Sequence, residues 1–223
     1  MKIAALIPAF NEARTIGTVV SGIAPAVDAV LVVDDGSSDD TAARARAAGA
    51  EVLSLAANSG KGVAIRAGLA RLLTASFTHV LFLDGDLQHR PDEAPRLIEV
   101  ASRTGADLVV GERQFRREDM PASRYYANRV GSAALSWFVG APVRDTQCGF
   151  RVCRLDALRD LPLHARGYDI ETEMLVKLRR RGARVAAAPV TAVYANERSK
   201  LRPVRDTTRT CFLAVYYQFL EPL

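Results

Sequence analysis

Cysteine is scarce in this sequence of 223 residues, and the few that occur suit neither a disulfide scaffold nor a zinc site. The three are Cys148, Cys153 and Cys211, an odd number with no Cys-x-x-Cys spacing among them. Small secreted proteins that depend on disulfides carry more cysteine, usually in even numbers. A reducing, cytoplasmic environment is therefore expected for this chain.

Long apolar runs are also missing. No such stretch reaches the ~18–20 residues that a membrane-spanning helix needs, and the uncharged stretch from Thr210 to Leu220 is about half that length. The sequence opens directly on the strand-like run KIAALIPAF, so no signal peptide is expected.

Several familiar signatures of nucleotide or hydrolytic chemistry are absent. Pro8–Glu12 follows the first apolar run in place of the glycine-rich turn of dinucleotide-binding proteins. The segment Asn58–Gly62 contains a Gly-Lys pair, but Leu55 stands where a P-loop requires glycine. This loop could still offer its N–H groups and the ammonium of Lys61 to an anion. Neither a Gly-x-Ser-x-Gly elbow nor an HExxH motif occurs.

The charge that is present is unevenly distributed. Hydrophobic residues make up 49% and charged residues 25% of the chain, which is the composition of a globular protein. Residues 1–111 hold 10 Lys/Arg and 13 Asp/Glu, whereas residues 112–223 hold 20 and 12. An acidic first half and a basic second half predict two binding surfaces with different tasks. Because 26 of the 30 basic residues are arginine in an alanine-rich chain, the net charge of +5 does not by itself indicate a nucleic-acid partner, and none is expected.

Apolar runs and amphipathic segments alternate through the first half, which predicts an open α/β fold with a mostly parallel sheet. Five runs read as buried strands: Ile3–Pro8, Val30–Val33, Val52–Leu55, Val80–Leu83 and Leu108–Val110. Polar clusters follow the first four of them: Pro8–Glu12, Asp34–Ser37, Asn58–Gly62 and Asp84–Gln88. Ligands of such sheets bind at the carboxyl ends of the strands, so these clusters predict the site.

The regular alternation of strands and helices does not continue in the second half, which is nevertheless expected to belong to the same single domain, 1–223. Helices are predicted over Ser123–Val139, Asp169–Arg181 and Arg205–Leu220, and strands over Cys148–Leu155 and Val185–Tyr194. The helix over 169–181 ends with three arginines before Gly182, which suits the negative helix end and a left-handed cap.

Asp84 and Asp86 are the sharpest chemical feature. They follow a buried strand two residues apart, so both carboxylates could face one side, and Gln88 adds a further oxygen. Oxygen ligands of this kind suit Mg²⁺ or Mn²⁺, although a solvated Asp-Gly-Asp turn explains the residues equally well. Asp35 has the same two interpretations: a turn that ends a strand, or an acceptor for a base or ribose.

Taken together, the motifs resemble one family. PAFNE, VVDDGSSDDT, NSGKGVAIRAG and LDGDLQHRPDE occur in order, followed by VVGERQF, DTQCGFRV, RGYDIETEML and ERSKLRP. This set resembles the family 2 inverting glycosyltransferases of the GT-A fold, in particular the polyprenyl-phosphate mannose and glucose synthases. The resemblance implies a Rossmann-like nucleotide-sugar and metal half over 1–111 and an acceptor half over 112–223.

The resemblance also implies roles for individual residues. Positions matching the nucleotide-sugar site are Pro8, Phe10, Glu12, Asp35, Lys61, Asp84 and Gly85. Positions matching the metal ligands are Asp84, Asp86 and Gln88. Positions matching the acceptor site are Arg113, Arg124, Asn128, Arg198 and Lys200. Among these, Asp86, Arg113 and Arg198 are the catalytic candidates.

The implied reaction moves a hexose, with inversion, from a UDP-glucose or GDP-mannose type donor to a polyprenyl phosphate of the cell envelope, with Mg²⁺ or Mn²⁺ as cofactor. A lipid phosphate is already anionic and needs no general base. A saccharide or small soluble hydroxyl acceptor would need one, and Asp145, Asp169, Glu171 and Glu173 are the available carboxylates. Glu173 is the one in the motif, but it could equally be a buried structural residue of its helix, and Asp145 could equally cap the turn into 148–150. A non-catalytic nucleotide-sugar binding protein is the remote alternative.

A peripheral position at the inner face of the membrane follows from a lipid acceptor. The helix predicted over 123–139 and the tail Phe212–Leu220 carry aromatic and aliphatic side chains that could lie on a bilayer surface. The same side chains could instead pack on the sheet or on a partner subunit of an oligomer.

Overall fold

One mixed seven-stranded sheet organises the computed structural model, which describes residues 1–113, 145–191, 212–213 and 215–220 together with Ala133, Ser136 and Gly140. The strands are β1 (Ile3–Ala9), β2 (Ala29–Asp34), β3 (Glu51–Ser54), β4 (His79–Phe82), β5 (Leu108–Arg113), β6 (Arg151–Arg154) and β7 (Val185–Val190). Their order across the sheet is β3-β2-β1-β4-β6-β5-β7. All five strands predicted in the first half are present.

The strand β6 is the one that breaks the parallel pattern. It lies between β4 and β5 and pairs antiparallel with both, whereas all the other neighbouring strands pair parallel. The sequence predicted a strand over 148–155, and the structure shortens it to four residues. Residues 145–150 form a turn in front of it that reaches the carboxyl ends of β4 and β5.

Helices cover the sheet as the alternating pattern predicted. They are α1 (Ile16–Ile23), α2 (Thr41–Ala47), α3 (Lys61–Leu73), α4 (Ala94–Thr104), α5 (Leu155–Leu158) and α6 (Ile170–Arg180). The predicted cap of α6 is confirmed: Gly182 has a φ of 78°, and the N–H of Ala183 donates to the carbonyl of Leu178 at 3.0 Å.

The core lies on both faces of the central strands, where Leu6, Ile7 and Leu81 of β1 and β4 are fully buried. Gly68 lets α3 approach one face closely, because a Cβ at that position would lie 2.2 Å from a methyl carbon of Leu6. A glycine costs helix stability of about 1 kcal/mol relative to alanine, and here close helix–sheet packing requires it. The packing holds α3 against β1 and β2.

The end of the chain was predicted to be helical over Arg205–Leu220, and its described residues agree. Residues 212, 213 and 215 are α-helical, and a π-helical turn follows over Tyr216–Leu220. Tyr217 anchors this turn on α6: its ring lies 5.3 Å from the ammonium of Lys177, and its carbonyl accepts a bond from Arg180 at 2.6 Å. The helix predicted over 123–139 lies almost wholly outside the described residues. No helix within the described part of the chain is long and apolar enough to cross a membrane.

Candidate active site

The turns after β1 and β2 hold each other in place. The N–H of Asn11 donates to the hydroxyl of Ser37 at 2.9 Å, and the N–H of Ser38 donates to the Asn11 amide oxygen at 2.9 Å. Asn11 adopts a φ of 56°, which asparagine tolerates better than most residues. The N–H of Glu12 donates to the hydroxyl of Thr41 at 2.8 Å, and Phe10 is exposed at the edge of this turn. Together the turns form one wall of a cleft.

Asp35 ties the loop before α3 to the end of β2. Its carboxylate is buried and accepts bonds from the N–H groups of Ser59 and Gly60 at 2.9 and 2.8 Å. Gly36 makes the close approach possible: its φ is 71°, and a Cβ there would lie 2.5 Å from the carbonyl carbon of Ala57. Asp35 thus shapes the cleft through the backbone. Its predicted contact with a nucleoside stays a prediction.

Lys61, the first residue of α3, is the electrostatic centre of the site. Its Nζ lies 2.6 Å from Oδ1 of Asp84 and 2.6 Å from Oε1 of Glu171. Burial acts against its charge, but the two carboxylates outweigh burial and raise the pKa of Lys61 above its ordinary value. The side chain is therefore a permanent cation, held between the end of β4 and the start of α6.

The pKa values of Asp84 and Asp86 are shifted in opposite directions although only Gly85 separates the two residues. Burial acts to raise the pKa of Asp84, but the charge and hydrogen bond of Lys61 hold it below its usual range. Burial, followed by the charge of Asp84, raises the pKa of Asp86. Negative charge is thus in excess beside Asp86, where a cation would be stabilised.

A strained turn follows these two aspartates. Leu87 has a φ of 62°, which is costly for a residue with a Cβ, and the N–H of Gln88 donates to Oδ1 of Asp86 at 3.0 Å. The turn folds Gln88 back toward Asp86. All three predicted metal ligands therefore lie in one short segment at the carboxyl edge of the sheet.

The donor set fits a hard divalent cation, because carboxylate and amide oxygens are the ligands that Mg²⁺ and Mn²⁺ prefer. Within the described residues there is no group of three or more His, Cys, Asp or Glu side chains that could hold a metal ion. The protein would therefore supply Asp84, Asp86 and Gln88, and the remaining ligands would have to come from a bound molecule, as Mg²⁺ commonly takes them from phosphates.

The turn before β6 closes the cleft against Asp84. A Cβ at Gly149 would lie 2.7 Å from Oδ2 of Asp84 and 3.1 Å from Nζ of Lys61, so only glycine fits there without displacing one of them. The buried guanidinium of Arg151 fixes this turn by donating to the carbonyls of Thr146, Cys148 and Glu171 at 2.6–2.7 Å. Sequence reasoning missed both residues as site elements. Their place in DTQCGFRV, directly before an apolar strand, was the available signal.

Arg113 ends β5 on the other side of this turn and is paired with Asp145. Its Nε and Nη2 donate to the two carboxylate oxygens at 2.5 and 3.0 Å, a bidentate geometry that fixes the plane of the guanidinium. Asp145 is buried. The pair places a predicted acceptor residue beside the turn that carries Gly149.

His89 and Cys148 fill the space beneath this pair. Burial lowers the pKa of His89 to about 4, so its ring is neutral near pH 7. Burial raises the pKa of the Cys148 thiol to about 12, which excludes it as a thiolate nucleophile at that pH. Nε2 of His89 lies 3.7 Å from Sγ of Cys148. Both residues belong to the packing under the site.

The four carboxylates considered as a general base are placed very differently. Glu173, the carboxylate that belongs to the predicted motif, has the structural role of the two that the sequence left open: it is fully buried, accepts hydrogen bonds from the N–H groups of His164 and Ala165, and pairs with Lys177 at 2.7 Å. Asp169 accepts a bond from the N–H of Gly167 at 3.1 Å. Asp145 holds Arg113. Glu171 is the carboxylate that reaches the cleft, because residues two apart on a helix point in nearly opposite directions.

One small cavity joins both halves of the chain. Its lining includes the predicted residues Pro8, Lys61 and Asp84, the candidate carboxylate Glu171, and the unpredicted residues Gly149 and Arg151. Glu12 and Gly85 lie beside it, since a Cβ at Gly85 would be 3.6 Å from Cγ of Glu12. Arg124, Asn128, Arg198 and Lys200, four of the five predicted acceptor residues, lie outside the described residues.

Comparisons with known proteins agree with this geometry. The sequence model of the family described as glycosyl transferase family 2 matches residues 4–161. An undecaprenyl-phosphate mannosyltransferase of Micrococcus luteus is 33% identical over 206 residues, which covers 86% of this chain and 84% of that protein. Glycosyltransferase AglJ of Haloferax volcanii is 34% identical over 206 residues, or 90% of this chain and 67% of that protein.

A solved structure that is similar to this chain contains bound ligands of its own. Glucosyl-3-phosphoglycerate synthase of Mycobacterium tuberculosis, in complex with Mn²⁺, UDP-glucose and phosphoglyceric acid, superposes with a TM-score of 0.74. It is 26% identical, and the match covers 100% of this chain and 81% of that one.

Proposed function

The chain belongs to glycosyl transferase family 2 and has the GT-A fold, and we propose that it transfers a hexose, with inversion, from a nucleoside-diphosphate sugar to a polyprenyl phosphate. The observation that carries this proposal is the cluster of Lys61, Asp84, Asp86 and Glu171 at the carboxyl edge of the sheet. It combines excess carboxylate beside Asp86 with one ammonium, and so suits a metal-bound diphosphate.

Asp84, Asp86 and Gln88 would hold the divalent cation. When bound, such an ion neutralises the diphosphate and stabilises the charge that develops on the leaving group. The walls around Asn11 and Asp35 would enclose the nucleoside, with Pro8, Phe10 and Glu12 at its edge. Lys61 lies where its ammonium can reach the same anion.

Glu171 supports a sugar in the innermost part of the cleft. Its Oε1 is taken by Lys61, but its buried Oε2 has no hydrogen-bond partner among the described residues. A buried acceptor without a donor costs about 1–3 kcal/mol, and a sugar hydroxyl in the cavity would remove that cost. The donor hexose is therefore proposed to lie against Oε2 of Glu171, on the side that Lys61 does not occupy.

The carboxylates considered as a general base are already bonded to other groups, which favours a phosphate acceptor that needs no base. Asp145 is bound at both oxygens by Arg113, Glu173 is sealed in the core, and Glu171 is ion-paired. A phosphate oxygen is already anionic near pH 7 and attacks without a base. Arg113, held flat by Asp145, would position it together with Arg124, Asn128, Arg198 and Lys200. The named polyprenyl-phosphate relatives support the same acceptor class.

A donor and acceptor panel tests the proposal. UDP- and GDP-hexoses would be supplied with Mn²⁺ and a polyprenyl phosphate, and the glycolipid product measured for the wild type and Asp86→Asn. Loss of one metal ligand should lower kcat/KM by about 10³-fold, or ~4 kcal/mol of transition-state stabilisation. If the wild-type protein transfers sugar from none of these donors to any acceptor, the proposed enzymatic activity is wrong.

A soluble acceptor is the second candidate, favoured by the similarity to glucosyl-3-phosphoglycerate synthase over the whole chain. That relative binds phosphoglyceric acid, which also carries a phosphate. The two candidates separate in the same panel: transfer to phosphoglyceric acid but not to polyprenyl phosphate would replace the lipid acceptor.

A lipid acceptor requires contact with a bilayer, which we propose to be peripheral and at the cytoplasmic face. Phe212 and Phe219 are each 69% exposed on the described part of the tail, next to Tyr216. Aromatic side chains of this kind favour the membrane interface. Co-sedimentation with anionic vesicles at low salt would test the proposed membrane contact. Vesicle binding should be weaker for the double variant Phe212→Ser/Phe219→Ser than for the wild type. A wild-type protein that forms a dimer and binds no vesicles would contradict the proposal.

A further inference from the structure

The position of Lys61 has a consequence for the order in which ligands bind. We propose that the Lys61 ammonium acts as an internal substitute for the metal at Asp84, so that a divalent cation binds tightly only together with a nucleoside diphosphate. This inference rests on the proposed function and concerns the same site. It describes what the chain does before the donor arrives.

Lys61 is an unusual choice at the start of a helix. The first turn carries the positive end of the helix dipole, which disfavours a cation there. Here Asp84 and Glu171 offset that cost through two contacts of 2.6 Å with the same Nζ. The lysine is thus held by these carboxylates, and it occupies the oxygen Oδ1 that Asp84 would offer to a metal.

The second oxygen of Asp84 is also restricted. Oδ2 faces the backbone of Gly149, where a single added carbon would lie only 2.7 Å from it. Neither oxygen of Asp84 is therefore open on all sides while Lys61 stays in place. A divalent cation entering alone would compete with the ammonium for Oδ1 and would meet its positive charge at close range.

A diphosphate changes this balance because it gives the ammonium another anion. Lysine is a compact charge on a flexible stem with three donors, so it can exchange one oxygen partner for another. Lys61 would turn from Asp84 toward the diphosphate while keeping Glu171, and Asp84 would become available to the metal. Nucleotide and metal would then bind with positive coupling.

Mn²⁺ binding measured by equilibrium dialysis tests the inference without any turnover. Dissociation constants would be determined with and without UDP or GDP for the wild type, Lys61→Met and Lys61→Arg. Lys61→Met removes the charge and keeps an apolar stem. Lys61→Arg keeps the charge. Arg71→Met is the matched control, since it removes one charge from the same helix, where Arg71 pairs with Glu51 at the surface.

The wild type should bind Mn²⁺ at least tenfold more tightly with the preferred nucleotide than without it. Lys61→Met should bind Mn²⁺ alone at least tenfold more tightly than the wild type, and the nucleotide should then add little. Lys61→Arg, which keeps the charge, should bind Mn²⁺ alone no more tightly than the wild type does, and Arg71→Met should keep the wild-type coupling. Thermal melting gives a second reading: Mn²⁺ alone should raise the Tm of Lys61→Met more than that of the wild type.

The outcomes separate this inference from the proposed function. If the wild type binds Mn²⁺ with nucleotide but Lys61→Met binds Mn²⁺ alone no more tightly, the substitution role of Lys61 is wrong and the proposed function stands. If Lys61→Met does not fold without metal, recovery of its melting transition by Mn²⁺ alone supports the inference, and failure to recover overturns it. If the wild type does not bind Mn²⁺ in the presence of either UDP or GDP, both this inference and the proposed function are overturned.

Discussion

Two glutamates of α6, each paired with a lysine, contrast the candidate site with the protein core. Glu171 pairs with Lys61 at 2.6 Å, and Glu173, two residues later, pairs with Lys177 at 2.7 Å. Both glutamates are buried. Backbone N–H groups complete the bonding of Glu173, whereas Glu171 keeps one oxygen without a partner among the described residues. Incomplete hydrogen bonding, rather than burial or charge, distinguishes the Glu171–Lys61 pair from the Glu173–Lys177 pair.

The largest effect, a loss of stability, is expected when the buried Glu173–Lys177 pair is broken. Glu173→Ala leaves the fully buried ammonium of Lys177 without its carboxylate and leaves two N–H groups of the 164–165 loop unsatisfied. The free energy of unfolding should fall by about 3–5 kcal/mol in urea denaturation. Glu99→Ala, at an exposed position of α4, is the control and should change it by at most about 0.5 kcal/mol. Equal losses in both variants would contradict the comparison.

The pair in the cleft should respond in activity instead. Glu171→Gln keeps the shape of the side chain but removes the charge, and Lys61 retains Asp84. The kcat/KM for the donor should fall by about 10²-fold, or ~2.7 kcal/mol, because the sugar loses a charged acceptor. Unfolding in urea should shift by no more than about 1 kcal/mol. A large loss of stability with unchanged kinetics would reverse the assignment of the two pairs.

A smaller effect on activity is expected for an alanine at Gly149, and Gly182 serves as the comparison. Gly149→Ala places a methyl against Asp84 and Lys61, whereas Gly182→Ala meets nothing within 4 Å and is strained only by its φ of 78°. Gly182→Ala should cost about 1 kcal/mol of stability and no activity. Gly149→Ala should lower kcat/KM at least tenfold with stability reduced by about 1–2 kcal/mol. Similar kinetics for both variants would contradict this prediction and mean that the 145–150 turn can shift to accommodate the methyl group.

The smallest effect is expected at Cys148. Its buried thiol has its pKa raised to about 12, so alkylation by iodoacetamide at pH 7.5 should leave the native protein unmodified at this position and fully active. Mass spectrometry of the treated protein checks this. Rapid modification of Cys148 with loss of activity would show that the region under Arg113 opens to solvent.

The sequence predicted the fold well wherever local pattern decides structure. Buried apolar runs and the polar residues after them placed Asp35, Lys61 and Asp84 at one edge of the sheet, because parallel strands all end there. The antiparallel insertion of β6 could not be predicted, since apolar content is the same for either strand direction. The choice between Glu171 and Glu173 also needed the structure. Helical spacing separates their directions but does not indicate which one faces the cleft.

Arg151 implies how the cleft can move. Its guanidinium spans carbonyls of the 146–148 turn and of Glu171, and it is fully buried with all three contacts within 2.7 Å. Two segments held by one planar fork behave as a single rigid body, because displacing either would strand a buried cation. Gly149 and Glu171 should therefore travel together in any opening or closing, and the relative displacement must occur against the β1 and β2 turns.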